Sequence, residues 1–300
     1  MSRGGPSRRL RALAAAADAH YLWILAAPAL IVLGAVTALP FLAAIVTSFT
    51  DFGARRPTWS FVGLDNYAAL FSDATFGRAL MNTISMVGAI VVTETILGLG
   101  LAVLLARSFR GIGFVRSVFI TPLMTPAIVV AITWRALFNT NSGWINYLLG
   151  AVGLPQPDWL GNPAFAMPSI ILADMWVGIP FVAILLVAAL LGVPREQQEA
   201  AAIDGANAWR VFRHVTLPAI RPVLAIVIMF RAIDAFKKFE SIQVITGGGP
   251  GDATTNLNLY VYQIGFLFLR MGYASAVAVA LIVVMVLALF LISRIGRAFG

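Results

Sequence analysis

Residues 199–218 read EAAAIDGANAWRVFRHVTLP, a polar stretch set between two long apolar blocks. Just ahead of it, Pro194 suits the first turn of a helix, and Glu196 and Glu199 favour the positive end of that helix's dipole. Ala200, Ala201 and Ala202 keep the helix narrow, and Gly205 can supply the sharp reversal that side-chain-bearing residues resist. A second helix is expected to begin around Ala206 to Trp209 and to stop at Pro218, with Trp209 and Phe212 three residues apart on a shared face. A narrow alanine and glycine tip backed by bulky apolar residues fits a knob inserted into a partner's cleft. The plainer alternative is an amphipathic connector resting on the membrane surface. A DNA-reading helix-turn-helix built on Arg210 and Arg213 does not fit, because both ends of the stretch run straight into apolar blocks and leave no freedom to enter a groove. No nucleic acid partner is expected.

Those apolar blocks set the class. Of 300 residues, 60% are hydrophobic and 11% charged, and the mean hydropathy is +0.90. A soluble domain carries about a quarter charged residues, so the chain is read as an integral membrane protein. Six apolar runs are long enough to cross about 30 Å of hydrocarbon: roughly 22–48, 79–106, 117–138, 167–191, 222–246 and 272–293. Only helices are expected to span, because backbone groups in lipid must be satisfied within the segment. The fold class is therefore all-α and polytopic, with about six transmembrane helices. Arg8, Arg9 and Arg11 precede the first run, which is too long for a signal-peptide core and reads as an uncleaved anchor. Residues 7–19 form a basic stretch that can lie as a helix on the membrane surface.

Orientation follows from the cations. Thirteen arginines (3, 8, 9, 11, 107, 110, 116, 195, 210, 213, 221, 294 and 297) fall on one side of the runs, against four (55, 56, 78 and 270) on the other. The first side is cytoplasmic by the positive-inside rule. This gives a cytoplasmic N-terminal basic segment (1–21), a permeating domain (22–295) with its cytoplasmic loop at about 194–220, and a cytoplasmic tail (296–300). On the outer side, residues 61–71 (FVGLDNYAALF) read as a short interfacial helix after a Gly63 turn. Residues 154–168 (LPQPDWLGNPAFAMP) read as turns near the headgroups, with Trp159 as anchor.

Chemical motifs are mostly missing. There is no GxxxxGK[ST] phosphate loop, and TGGGPG at 246–251 lacks the lysine, opens no helix and reads as a tight turn. No HExxH, GxSxG or paired histidine–carboxylate pattern occurs, and no cysteine is present to form a disulfide or thiolate site. His20 and His214 are too few and too far apart for a metal site. No catalytic residue is assigned, and the chain is not expected to be an enzyme. If ATP drives it, another subunit hydrolyses the nucleotide.

The spacing Glu-Ala-Ala, three residues, Gly, nine residues, then Val215-Thr216-Leu217-Pro218 resembles the signature of permease subunits of binding-protein-dependent ABC importers; the family usually carries Ile where Val215 stands. DMWVGIPF (174–181), FRAIDAFKKFESIQVITGGGPG (230–251) and FVGLDNYAALF resemble the carbohydrate-importer branch that handles maltose-type sugars and glycerol phosphates, and the likeness covers residues 20–295. It implies a type I importer permease in a prokaryotic inner membrane, acting by alternating access. The partners implied are an ABC ATPase dimer that binds ATP and Mg, an extracytoplasmic solute-binding protein, membrane lipid, and a second permease, giving a heterodimer. It places ATPase coupling on Glu199, Ala200, Ala201, Asp204, Gly205, Leu217 and Pro218.

Glu94, Arg135, Asp174, Arg231 and Asp234 lie within or beside the apolar runs, where a charge must face protein, water or a partner charge. Local pairing is available: Asp234 reaches Lys237 and Lys238 at i+3 and i+4, and Lys237 reaches Glu240. The resemblance places the solute site between spans three to five. The candidates are Asn139, Trp176, Phe236, Lys237, Lys238, Phe239, Glu240 and Gln243, with aromatics for apolar sugar faces and amide or carboxylate groups for hydroxyls. A second lysine beside Lys237 can favour an acidic carbohydrate, but Asp234 and Glu240 can cancel that field, so a neutral sugar or polyol is the expected cargo and an anionic one the alternative. A secondary transporter or channel is the alternative class. It calls for more spans or an inverted repeat and gives the hairpin at 199–218 no purpose.

Overall fold

The computed structural model describes residues 8–53 and 59–298. Arg3, Arg55, Arg56 and the first residues of the N-terminal segment lie outside the described residues, as do the last two of the tail. The first helix, α1 (Arg8–Ser48), runs unbroken through 41 residues, past Pro28 and Pro40, so no break marks the boundary expected at residue 22. Gly63 takes φ +57 and α2 (Asp65–Ser72) follows, as the 61–71 pattern predicts. Next come α3 (Ala74–Leu105), α4 (Ile112–Ile120), α5 (Ala127–Leu137), α6 (Trp144–Ala151) and α7 (Pro163–Leu191). The chain ends with α8 (Arg195–Ile203), α9 (Ala208–Val211), α10 (Leu217–Phe236), α11 (Glu240–Ile245), α12 (Leu257–Tyr262) and α13 (Met271–Ala298).

Among the described residues, five single helical segments are long and apolar enough to cross a membrane: Leu25–Ser48, Ala74–Leu105, Pro163–Leu191, Ala208–Phe236 and Met271–Arg294. The sixth exists only as a pair bent by 96°, Ile112–Met124 with Ala127–Leu137. The run at 117–138, expected as one straight span, is thus broken in the middle. Pro126 offers no N–H and disfavours helical geometry in the residue before it. Thr125 accordingly sits extended at φ −88, ψ 126.

The run at 222–246 also departs from expectation at both ends. It stops at Phe236, because Lys238 turns back onto Asp174 and Asp234 and α11 starts separately at Glu240. At the other end Pro218 does not stop the second helix of the hairpin. A π turn at Phe212–Thr216 joins α9 to α10, closed by the N–H of Leu217 on the carbonyl of Phe212. The wider turn gives the proline ring room, and a proline in the first turn of α10 withholds a donor that no helical carbonyl there requires.

The core is the packing of α3 on α7, with α10 laid against both. Met86, Ile90, Phe138, Ile170 and Phe236 fill one half of it; Ala102, Leu105, Val182, Leu186 and Val227 fill the half nearer the 199–218 hairpin. TGGGPG is a tight turn, with Gly247, Gly248 and Gly251 at positive φ and the hydroxyls of Thr246 and Thr254 paired at 2.7 Å. Trp159 is fixed within the protein more than it is a free headgroup anchor. Its Nε1 donates to Asn146 at 2.8 Å, and its ring packs against Phe138 at 5.5 Å.

Asp73 ties three helices together at one end of the bundle. Its Oδ1 caps α3 by accepting from the N–H groups of Thr75 at 2.8 Å and Phe76 at 3.2 Å. Its Oδ2 accepts from the hydroxyls of Tyr260 on α12 and Tyr273 on α13. Burial alone would raise this carboxyl; the two tyrosine hydroxyls and two backbone donors outweigh it and hold the group below its ordinary value of 3.8. A depressed pKa contributes stability that is fully present above the ordinary value of 3.8, so the tie is intact at neutral pH and is lost as pH falls past that value and through the still lower folded-state pKa. Asp73→Ala removes the cap and strands two hydroxyls. It should cost about 2 kcal/mol, measured as a lower melting temperature of the detergent-purified protein. An unchanged melting temperature would contradict the tie.

Candidate functional site

Three apolar helices bring five charged side chains to one place. Arg231 of α10 is 5% exposed and uses three nitrogens on three carboxylates. Nε donates to Glu94 of α3 at 2.5 Å, Nη2 to Asp174 of α7 at 3.0 Å and Nη1 to Asp234 at 2.9 Å. Lys238, past the end of α10, places Nζ 2.6 Å from Asp174 Oδ1 and 3.0 Å from Asp234 Oδ2. Such a group is retained in an apolar interior only where each charge meets another. The i+4 pairing of Asp234 with Lys238 is realised. For Lys237 no ion pair within 4 Å occurs among the described residues, and the expected Lys237–Glu240 contact does not form. Arg135 stays outside the cluster; its Nη1 donates to the carbonyl of Val244 at 3.0 Å and fastens α5 to α11.

The cluster forms one wall of a cavity of about 450 Å³ between α5, α7, α10 and α11. Asp174, Asp234, Lys237, Lys238, Glu240, Ser241 and Thr125 supply its polar groups, and Ala127, Val130 and Val177 are among its apolar ones. A larger recess of about 740 Å³ runs along α6, between Thr140, Trp144, Tyr147 and Gln156. Its lining residues are sequence neighbours and carry no charge, so the cavity with convergent polar groups is the better candidate site.

Of the eight residues nominated for solute contact, the structure places Lys237, Lys238 and Glu240 on the wall. Phe236 is 2% exposed and belongs to the core, its backbone carbonyl accepting from Asn258. Phe239 packs on Tyr262 at 5.2 Å. Asn139 closes its own turn, its Oδ1 accepting from the N–H groups of Asn141 and Ser142 at 3.0 and 2.9 Å. Trp176 and Gln243 are exposed but not on the wall. Sequence reasoning misses Thr125 and Ser241. Thr125 does carry a signal, since a polar residue ahead of a helix-breaking proline inside an apolar run marks an opened backbone.

On the opposite side of the chain, α8 ends in a left-handed turn. Gly205 takes φ +81. The N–H of Ala206 bonds the carbonyl of Ala201 and that of Gly205 the carbonyl of Ala202, both at 3.0 Å, which is the paired closure of a Schellman motif. Asn207 then caps α9, its Oδ1 accepting from the N–H of Arg210 at 2.9 Å. Glu199, Ala200, Asp204 and Gly205 are exposed and Ala201 half-buried, whereas Leu217 and Pro218 sit at the base of the hairpin, inside α10. Ile203 at 86% and Trp209 at 65% exposure stand out of the hairpin uncovered, with Trp209 stacked on Phe212 at 5.7 Å. Sequence reasoning does not single out Ile203, although it is the one large apolar residue at the tip.

The model of the family described as "Binding-protein-dependent transport system inner membrane component" matches residues 94–299. The trehalose/maltose transport system permease protein of Thermococcus litoralis is 40% identical over 200 residues, 67% of this chain and 68% of that one. The diacetylchitobiose uptake system permease protein of Streptomyces coelicolor is 35% identical over 266 residues, 84% and 75% of the two chains. In fold, the chain is similar to a bacterial ABC transporter involved in the import of the acidic polysaccharide alginate, with a TM-score of 0.82 at 22% identity over 96% of this chain and 99% of that chain. Family, relatives and apolar helices agree: the chain belongs to the binding-protein-dependent transport system inner membrane components and is a multi-pass permease subunit of an ABC importer.

Proposed function

We propose that this permease moves a sugar, a polyol or a derivative of one into the cytoplasm through the cavity beside Lys238, driven by ATPase subunits that dock on the hairpin at 199–218. The cargo class follows from relatives named for trehalose, maltose and diacetylchitobiose. Both termini are cytoplasmic by the distribution of arginines, and a solute-binding protein delivers cargo from outside. A second permease of the same kind faces the open side of the cavity, where the Asp234 side chain is 45% exposed. The nucleotide and its magnesium belong to the ATPase, since this sequence has no phosphate loop.

The observation that carries the reading is a continuous lever. The segment Ala208–Phe236 begins in the exposed hairpin and ends beside Lys237 and Lys238 on the cavity wall. Its 29 residues span about 43 Å. Force applied at Trp209 is therefore delivered to the solute wall without crossing a loop, and Gly205 joins this lever through Ala206 and the helix cap Asn207. Closure of the ATPase dimer pulls the hairpin, rocks α10 against α3 and α7, and turns the cavity outward to receive solute.

Glu199→Lys tests the docking half of this scheme. Glu199 is exposed beside the tip and placed to make charge-assisted bonds to the ATPase. In the reconstituted importer the variant should keep ATP hydrolysis while solute uptake falls at least about tenfold, a loss of ~1.4 kcal/mol in coupling. Unchanged uptake per ATP hydrolysed would make the hairpin a connector only. Uptake that continues without ATP would favour a secondary transporter.

A further inference from the structure

Glu94 is the one carboxylate of the cluster that takes no part in lining the cavity. It is wholly buried; Oε2 meets Arg231 at 2.5 Å, and Oε1 has no hydrogen-bond partner among the described residues. A carboxylate left half unsatisfied in an apolar interior is costly, so packing alone gives no reason for it. Room for it exists only because residue 178 is glycine: a Cβ there would collide with the carboxyl carbon and both carboxyl oxygens of Glu94.

We propose that Glu94, seated against Gly178, sets the charge of the solute cavity, and thereby its preference for uncharged over anionic cargo, by acting through Arg231 on Lys238. The proposal rests on the reading of this cavity as the solute path. Arg231 and Lys238 compete for the same two aspartates: Asp174 gives one oxygen to each cation, and Asp234 Oδ2 accepts from both. Glu94 neutralises Arg231 from behind, which leaves Asp174 and Asp234 free to neutralise Lys238. Two cations then stand against three carboxylates, and the wall carries one net negative charge. Lys237 and Glu240, which also line the cavity without contacting each other, add one charge of each sign and leave that sum unchanged. The two successive lysines therefore do not make an anion site. Without the Glu94 charge, Arg231 draws on the two aspartates alone, Lys238 is released toward the cavity, and the wall loses its negative excess. Glu94 is in this sense a positioning residue, since it touches Arg231 and no solute.

The sequence contains no cysteine, so one introduced on the wall can report the local potential without knowledge of the cargo. Ala127 lines the cavity and is exposed. In the full importer carrying Ala127→Cys, with any partner-chain cysteines replaced, the rates of modification by a sulfonate-bearing and a trimethylammonium-bearing methanethiosulfonate are compared. Glu94→Gln should raise the anion-to-cation rate ratio at least about tenfold, the order expected for one unit charge roughly 10 Å away at an effective dielectric near 20. Glu94→Asp, which keeps the charge, should leave the ratio within about twofold of the parent, a tolerance small against one unit charge. Gly178→Ala, which displaces the carboxylate, should shift it in the direction of Glu94→Gln. A purely structural role alters both rates alike and leaves the ratio where it was. An unchanged ratio in an assembled Glu94→Gln complex overturns the proposal while the cavity reading stands. If the introduced thiol reacts with neither reagent, the cavity is closed to water and both readings fail.

Discussion

Arg231→Met should be the most damaging single substitution in the membrane-embedded part of this permease, lowering its stability by about 3–5 kcal/mol. Methionine nearly matches the aliphatic stem in volume, so the loss is not one of packing. It arises because Glu94, Asp174 and Asp234 all direct oxygens at the guanidinium, and only Lys238 remains to compensate them. Glu94 is the worst placed of the three, fully buried and with no second cation in contact among the described residues. That asymmetry gives a sharper form of the test. Glu94→Gln in the Arg231→Met background should recover part of the loss, because it removes the carboxylate that no longer has a partner. A double-mutant cycle on melting temperatures of the purified importer isolates the coupling, expected at about 2–3 kcal/mol for groups in one buried network. A melting temperature unchanged by Arg231→Met, or simple additivity with Glu94→Gln, would mean that the cluster is hydrated and weakly coupled.

The same cluster shows where sequence reasoning reaches its limit. Hydropathy locates the apolar runs because length against bilayer thickness is a local property. It marks Glu94, Asp174 and Arg231 as anomalous within them. It carries no information on which helices meet, so local spacing offers Asp234–Lys238 while the contacts at sequence separations of 57 and 137 arise only from the packing of α3, α7 and α10. Spacing also overreads proline. Pro218 looks like a stop and is carried through by a π turn, whereas Pro126 looks like one proline among several and is where the third run bends. The difference lies in the preceding residues: a widened turn absorbs the first ring, and the extended Thr125 accepts the second. Gly205 is legible for the opposite reason. Its role is a single backbone requirement, which one residue type satisfies at low cost and the pattern of helix, glycine, helix announces.

Gly205→Leu should abolish most solute uptake, at least about a hundredfold or ~2.7 kcal/mol, while insertion and expression remain normal. Two causes contribute and can be separated. The first is backbone strain: Gly205 holds φ +81, where a residue with a Cβ costs roughly 1–2 kcal/mol and loosens the Schellman closure onto Ala201 and Ala202. The second is access. Among the described residues nothing lies within 4 Å of a Cβ built on Gly205, so crowding is expected only from a docked partner. Asn tolerates the left-handed region far better than Ala does, yet its side chain is larger. If strain dominates, Gly205→Asn should retain more uptake than Gly205→Ala. If a partner packs against the tip, the order reverses, because the smaller side chain is the better tolerated. Uptake and ATPase activity measured together in reconstituted vesicles distinguish the two, and the docking reading expects the reversed order, with hydrolysis persisting in Gly205→Asn as transport falls. Normal uptake by Gly205→Leu at normal expression would remove the tip of the hairpin from the coupling path, leaving Trp209 and the base of α10 as the only route by which an ATPase could move the cavity wall.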